Sequence, residues 1–344
     1  MGFLNAALLV LLAILVCLAV VTRVGAWMIE SRFPPSGAFA TVGETRMHYL
    51  HEPAGSDADI PPIVFLHGAS GNLADQVFAF RDRLAGRAEL LFVDRPGHGW
   101  SDPGPDRNRH PDGQAATLRA LMDYLGIEKA IIVGHSFGGA ITVNFALDHP
   151  DRTLGTLFVS PVSHPWPGGI DWHYKVTALP GLGHLFAHTI ALPAGLLRIR
   201  SAIECVFAPN RPTNDYLANS GVALVLRPRS FRSNAIDVAN LYDHVAQTAP
   251  RYSKIETPAI VITGDKDTIV LPRIHSDGLA RDLQNVELVR VKNLGHKPDY
   301  VATDLIVAAI EKLAGKPRDL DAQARALEPV IADDRFGPVE RCLE

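Results

Sequence analysis

The segment that most constrains this chain is short. The apolar run Ile131-Ile132-Val133 leads directly into Gly134-His135-Ser136-Phe137-Gly138-Gly139, and a helical pattern rich in small residues continues to Leu147. A strand that turns into a helix over so few residues brings the two backbones into near contact. Gly134 and Gly138 have no side chain to obstruct that approach. The serine between them is pushed to the tip of the turn, in a strained backbone conformation. Its hydroxyl projects out of the sheet at the positive end of a helix. A G-x-S-x-G turn between strand and helix makes Ser136 a candidate nucleophile.

A serine hydroxyl attacks only when a base takes its proton, and the base needs an acid to orient it. In this setting the expected chain order is serine, acid, histidine. Ala259 to Thr263 reads as a strand ending in Gly264-Asp265-Lys266-Asp267, and Leu288 to Val291 as one ending in Asn293-Leu294-Gly295-His296. Asp265, Asp267 and His296 therefore follow strand ends, as Ser136 does. His296 is the candidate base, chosen among 14 histidines by its place after the last strand. An oxyanion needs two aimed donors. The backbone N–H of Phe137 is one candidate. The N–H of Ala69 is the other, in the loop His67-Gly68-Ala69 after the strand Ile63 to Leu66.

Around these residues, apolar four-residue runs such as Ile63 to Leu66 and Leu90 to Val93 alternate with helical patterns such as Leu73 to Leu84 and Gln114 to Leu125. That rhythm predicts an α/β fold with a mostly parallel sheet covered on both faces. It stops at about residue 161 and resumes at about 250. The Pro-, His- and Arg-rich stretch between reads as a helical insertion over the carboxyl ends of the strands, where open α/β sheets place their ligands. His184 and His188 stand four apart there, but no acidic partner lies near them, so no metal site is expected. A formal charge of −4 and a pI near 6.4 argue against a nucleic-acid partner.

Together these motifs resemble the α/β-hydrolase family, specifically its single-domain, lidded members. The resemblance rests on His67-Gly68, on Asp94-Arg95-Pro96-Gly97-His98-Gly99-Trp100-Ser101, on the elbow, on Gly264 to Asp267 and on Gly295-His296. It implies an eight-stranded sheet with a helical lid and selects Asp267 over Asp265 as the acid, leaving Asp265 to contact backbone amides. It also implies a serine hydrolase that acts on an ester or related acyl substrate, without metal or cofactor. Dehalogenases and epoxide hydrolases of the family carry Asp where Ser136 stands. Carbon–carbon bond hydrolases and cofactor-free perhydrolases share the triad and remain alternatives, as does a non-catalytic binding protein of this fold. His67, Trp166, Trp172 and Tyr174 are candidate substrate contacts, and the apolar lid suggests a hydrophobic substrate. His98 is expected to be structural.

Two terminal segments lie outside that domain, which is expected over 39–313. Residues 1–28 read as a membrane anchor, or as a signal left uncleaved or cleaved after Val24-Gly25-Ala26, since Met1 to Thr22 carries no charged side chain. The lipid bilayer is thus an expected partner. Arg23, Arg32 and Arg46 follow the span, a bias towards a cytoplasmic domain that does not fix the orientation. The cysteines, Cys17, Cys205 and Cys342, do not decide the compartment. Residues 29–38 read as a linker, and 314–344 as a loosely packed tail with a possible helix from Asp319 to Val330.

Overall fold

The computed structural model describes residues 2–333. A helix α1 (Gly2–Arg32) precedes two strands, β1 (Ala38–Val42) and β2 (Thr45–Glu52), joined by a turn at Gly43. Then come β3 (Ile63–Leu66), α2 (Leu73–Leu84), β4 (Leu90–Val93), α3 (Pro111–Leu125), β5 (Ala130–His135), α4 (Phe137–Asp148) and β6 (Thr153–Val159). The insertion supplies α5 (Trp172–Ala178), α6 (Leu182–Thr189), α7 (Ala191–Phe207), α8 (Tyr216–Asn219) and α9 (Pro228–Thr248). The chain returns through β7 (Ala259–Gly264), α10 (Ser276–Asp282), β8 (Val286–Val291), α11 (Pro298–Val301), α12 (Thr303–Leu313) and α13 (Leu320–Ala332).

The strands form one sheet in the order β1-β2-β4-β3-β5-β6-β7-β8. β2 runs antiparallel to both β1 and β4, and the remaining pairs are parallel. Successive strand residues point to opposite faces, so a strand buried on both sides must be apolar throughout. Phe65, Phe92, Ile131 and Val133 join a cluster with Phe80, Ile306 and Ile310 on one face. Their neighbours Val64, Leu66, Leu91, Val93 and Ile132 join Leu118, Met122 and Ile141 on the other. The short apolar runs in the sequence are therefore central strands covered by helices on both sides.

Two expectations at the chain's ends are revised. The helix expected to stop at residue 28 continues to Arg32, so the connection to β1 shortens to residues 33–37. The C-terminal segment is not loose as far as residue 333. Asp319 caps α13 by accepting from the Ala322 N–H, and Leu320, Ala324 and Ile331 are buried in the sheet's own apolar cluster. Charged residues on the outer side of that helix hid its amphipathic pattern. Cys342 and residues 334–344 lie outside the described residues.

Candidate active site

Ser136 is the single residue between β5 and α4. Its φ of 53° and ψ of −116° lie in the region that side chains rarely occupy. The turn is held closed by backbone bonds. Ser136 donates its N–H to Val159 O, and its carbonyl accepts from Gly139 and Val162. A Cβ on Gly138 would stand 2.4 Å from Leu66 O, so no other residue fits there. Gly68 is also confined, since its Cβ would stand 2.9 Å from Ser136 Cβ. The loop after β3 is thus pressed directly against the elbow. Phe137 opens α4, so its N–H has no acceptor within the helix.

His296 and Asp267 arrive from the ends of β8 and β7. His296 Nε2 lies 3.0 Å from Ser136 Oγ, and His296 Nδ1 lies 2.7 Å from Asp267 Oδ2. A carboxylate only accepts, so Nδ1 carries the proton and Nε2 is left to accept from the serine. Asp267 Oδ1 accepts the N–H groups of Ile269 and Val270, which fixes the carboxylate. Asp265 instead accepts the Asn293 N–H. The three side chains form one buried hydrogen-bonded line, with Ser136 at 8 % exposure. His135 Nε2 donates to His296 O at 3.0 Å, and burial holds the His135 ring below its usual pKa, and so neutral.

The remaining candidates fall into different places. His67 is fully buried, and both its nitrogens are used internally. Its Nε2 accepts the Arg95 N–H, so Nδ1 donates to Gly68 O. His67 therefore braces the loop and does not face a substrate. Trp172 is 67 % exposed, and its ring packs edge-on against His173 and Phe186 of the lid. Tyr174 contacts Ser70 and Asn234, beside the loop that holds Ala69, and burial raises its pKa. Trp166 packs edge-on against Tyr242, in the cluster of Val162, Leu241 and Val270. His98 sits within hydrogen-bond distance of Arg95 and Asn234, a structural place.

Arg95 was not singled out in the sequence. Its side chain is almost wholly buried. It donates to Gly68 O, Gln114 and Asp237, and its guanidinium lies 4.3 Å from the centre of the Phe137 ring. Asp237 belongs to lid helix α9, so this pair ties the lid to both segments that carry the candidate amide donors. Burial pushes Asp237 up to about 6, against the pull of Arg95, and lowers the Arg95 pKa. A second buried cation, Lys297, follows His296 and pairs with Asp75 and Asp299 at 3.0 and 2.9 Å. Burial opposes its charge, but those two carboxylates outweigh it and hold the ammonium above the usual lysine range. The signal for Arg95 lay in the D-R-P-G motif. Asp237 sits in an amphipathic helix that gives no such sign.

A sheet of this order, with a strained serine between strand and helix and a lid over the strand ends, defines a class. The model of the α/β hydrolase fold family matches residues 61–298, and the chain belongs to that family. It is similar to a 2-hydroxy-6-oxononadienedioate/2-hydroxy-6-oxononatrienedioate hydrolase of Paraburkholderia phymatum, 30% identical over 246 residues, covering 66% of this chain and 76% of that one. An sn-1-specific diacylglycerol lipase of Mus musculus is 26% identical over 245 residues, covering 70% and 76%. A shorter match, 36% identical over 124 residues, spans only 32% of the dihydrolipoyllysine-residue acetyltransferase component of the acetoin cleaving system of Cupriavidus necator. Among solved structures, the enol-lactonase from Burkholderia xenovorans LB400 superposes with a TM-score of 0.64 at 20% identity, over 81% of this chain and all of that one.

Proposed function

We propose that the chain is a serine hydrolase that cleaves an uncharged, hydrophobic acyl ester, and that α1 anchors it in a membrane. The observation that carries the chemistry is the line Ser136–His296–Asp267, with both hydrogen bonds at 3.0 Å or less. In the proposed reaction His296 Nε2 takes the Ser136 proton as Oγ bonds to the substrate carbonyl carbon. The N–H groups of Ala69 and Phe137 receive the oxyanion. Collapse breaks the carbon–oxygen bond, and the leaving alcohol takes its proton from His296. Water then gives a proton to His296 as its oxygen bonds to the acyl carbon, and collapse breaks the Oγ–carbon bond while His296 returns that proton to Ser136 Oγ, which frees the acid. Asp267 keeps the ring in the required tautomer and stabilises the imidazolium.

The buried cations support this substrate class. Arg95 and Lys297 flank the site, and both are already paired with carboxylates inside the protein. Neither is available to a substrate carboxylate, which favours a neutral acyl chain over a dioate. The second reading, hydrolysis of an oxo-dienedioate, is favoured by the bacterial relative named above. Labelling of Ser136 with a fluorophosphonate, combined with p-nitrophenyl esters of increasing chain length and an oxo-dienedioate, separates the readings. Labelling with turnover rising beyond acetate supports the ester reading. Labelling with turnover of the dioate alone supports the second. A folded protein that does not label refutes both.

A further inference from the structure

The N-terminal helix α1 and the lid are not independent structures. The stripe Leu15, Leu18, Ala19, Thr22, Gly25, Ala26, Ile29 and Glu30 is the covered side of α1, with residues three or four apart. Ala26 and Ile29 pack with Leu192, Leu224 and Leu226 of the lid. Thr22 Oγ1 donates to Thr189 O, a Cβ on Gly25 would meet Leu192, and Glu30 pairs with Arg227. On the other side of the stripe as far as Val21, and from Phe3 to Ile14 on all sides apart from Asn5, α1 is exposed and apolar.

That arrangement sets a length problem. The freely exposed part, residues 3–14, is about 18 Å of helix at ~1.5 Å per residue. A bilayer's hydrocarbon core is ~30 Å thick. The uncharged run ends only at Arg23, so residues 15–22 must also lie within the apolar layer if α1 spans it. The lid meets α1 at the end of that stretch, where Thr22 bonds to Thr189 of α6, and Leu15, Leu18 and Ala19 before it are half-covered. The lid surface there is apolar as well: Leu182, Leu185 and Ile190 are about half exposed, and Leu197 is 89 % exposed. From Trp172 to Ile203 the lid carries Lys175, Arg198 and Arg200 and not one acidic residue. A polar protein partner would leave those side chains unmatched, whereas the acyl region of a lipid leaflet with anionic headgroups suits them.

We propose that α6 and the start of α7 are sunk into the same leaflet as α1, so that the lid opens towards the acyl chains of the membrane. This rests on the anchor reading above, not on the chemistry at Ser136. The test uses the full chain in phosphatidylcholine–phosphatidylglycerol vesicles containing brominated acyl chains. In a Trp27→Phe, Trp172→Phe background, tryptophan is introduced as Leu9→Trp or as Leu185→Trp. Both reporters are expected to be quenched by about two-fold or more, as for groups at acyl-chain depth. In parallel, Leu182→Asp with Leu185→Asp is expected to slow hydrolysis of a vesicle-embedded long-chain ester by about ten-fold, while p-nitrophenyl butyrate turnover stays within about two-fold. Quenching at residue 9 but not 185 overturns the proposal and leaves the anchor intact. Quenching at neither removes the anchor reading itself. A residue 185 reporter shielded by a second copy, seen as cross-linked dimers without quenching, also overturns it.

Discussion

Among the described residues, three buried histidines each hydrogen-bond a carboxylate, and the chemistry differs at the other ring nitrogen. His296 sets Nδ1 on Asp267 and Nε2 on Ser136. His48 sets Nδ1 on Asp94 at 2.6 Å, but its Nε2 is buried without a partner. His164 comes nearest to the first: Nε2 lies 3.0 Å from Asp282 and Nδ1 lies 2.8 Å from Ser163 Oγ. Yet Ser163 is fully buried, and its Oγ also lies 2.9 Å from His275 O. A carbonyl only accepts, so one hydroxyl proton cannot serve both neighbours. Ser163 also lacks the left-handed backbone of Ser136. A serine, a histidine and an aspartate in a line are therefore insufficient. What sets Ser136 apart is a strained tip at a helix start, an abutting glycine loop, and a hydroxyl whose only side-chain partner among the described residues is the base.

The largest test of that contrast is at the serines. Ser136→Ala is expected to lower kcat by about 10⁶-fold, because base and acid then act on nothing. Ester turnover measures it, and loss of fluorophosphonate labelling with unchanged circular dichroism shows the fold is intact. Asp267→Asn comes next, at about 10⁴-fold, since an amide towards Nδ1 favours the wrong tautomer. An Asp282→Asn variant that lost as much turnover would mean the second line also takes part in the chemistry.

Much of this contrast was legible in the sequence, for a physical reason. Ser136, Asp267 and His296 each follow a strand, and an apolar four-residue strand is a strong local signal. The glycines record close backbone approach, so the elbow and the His67-Gly68 loop can be read without coordinates. The lid was legible only as an interruption. Its helices are short and mixed, and which side chains face inward depends on packing against α1 and the sheet. Hence Trp172, read as a pocket residue, is largely exposed, while Asp237 is buried against Arg95. His67 was misassigned because a histidine beside a candidate site reads as a contact until its two nitrogens are accounted for.

His48–Asp94 tests whether a histidine–carboxylate pair can be wholly structural. Asp94 also accepts the N–H groups of Leu73 and Trp100, so it fixes the start of α2 and the loop after β4. Asp94→Asn is expected to destabilise the fold by about 3 kcal/mol, the scale of breaking a buried charged network. Urea unfolding measures that loss. Specific activity per folded molecule should remain within about three-fold, since no Asp94 contact reaches the Ser136 line.

The smallest effect is expected at His164, and its sign is informative. Burial lowers the His164 pKa despite the pull of Asp282. The unfolded chain then takes up the proton first as the solution is acidified. The stabilising contribution of neutral His164 is complete above the unfolded value of about 6.5 and is lost as pH falls through the lower folded value. His164→Gln is therefore expected to flatten the acid limb of the stability curve below about pH 6.5. Ser163→Ala is expected to cost about 1 kcal/mol at every pH, through one buried hydrogen bond. Neither should move the pH profile of ester turnover, which belongs to the other line. A shift of that profile in His164→Gln would couple the two lines and dissolve the distinction between them.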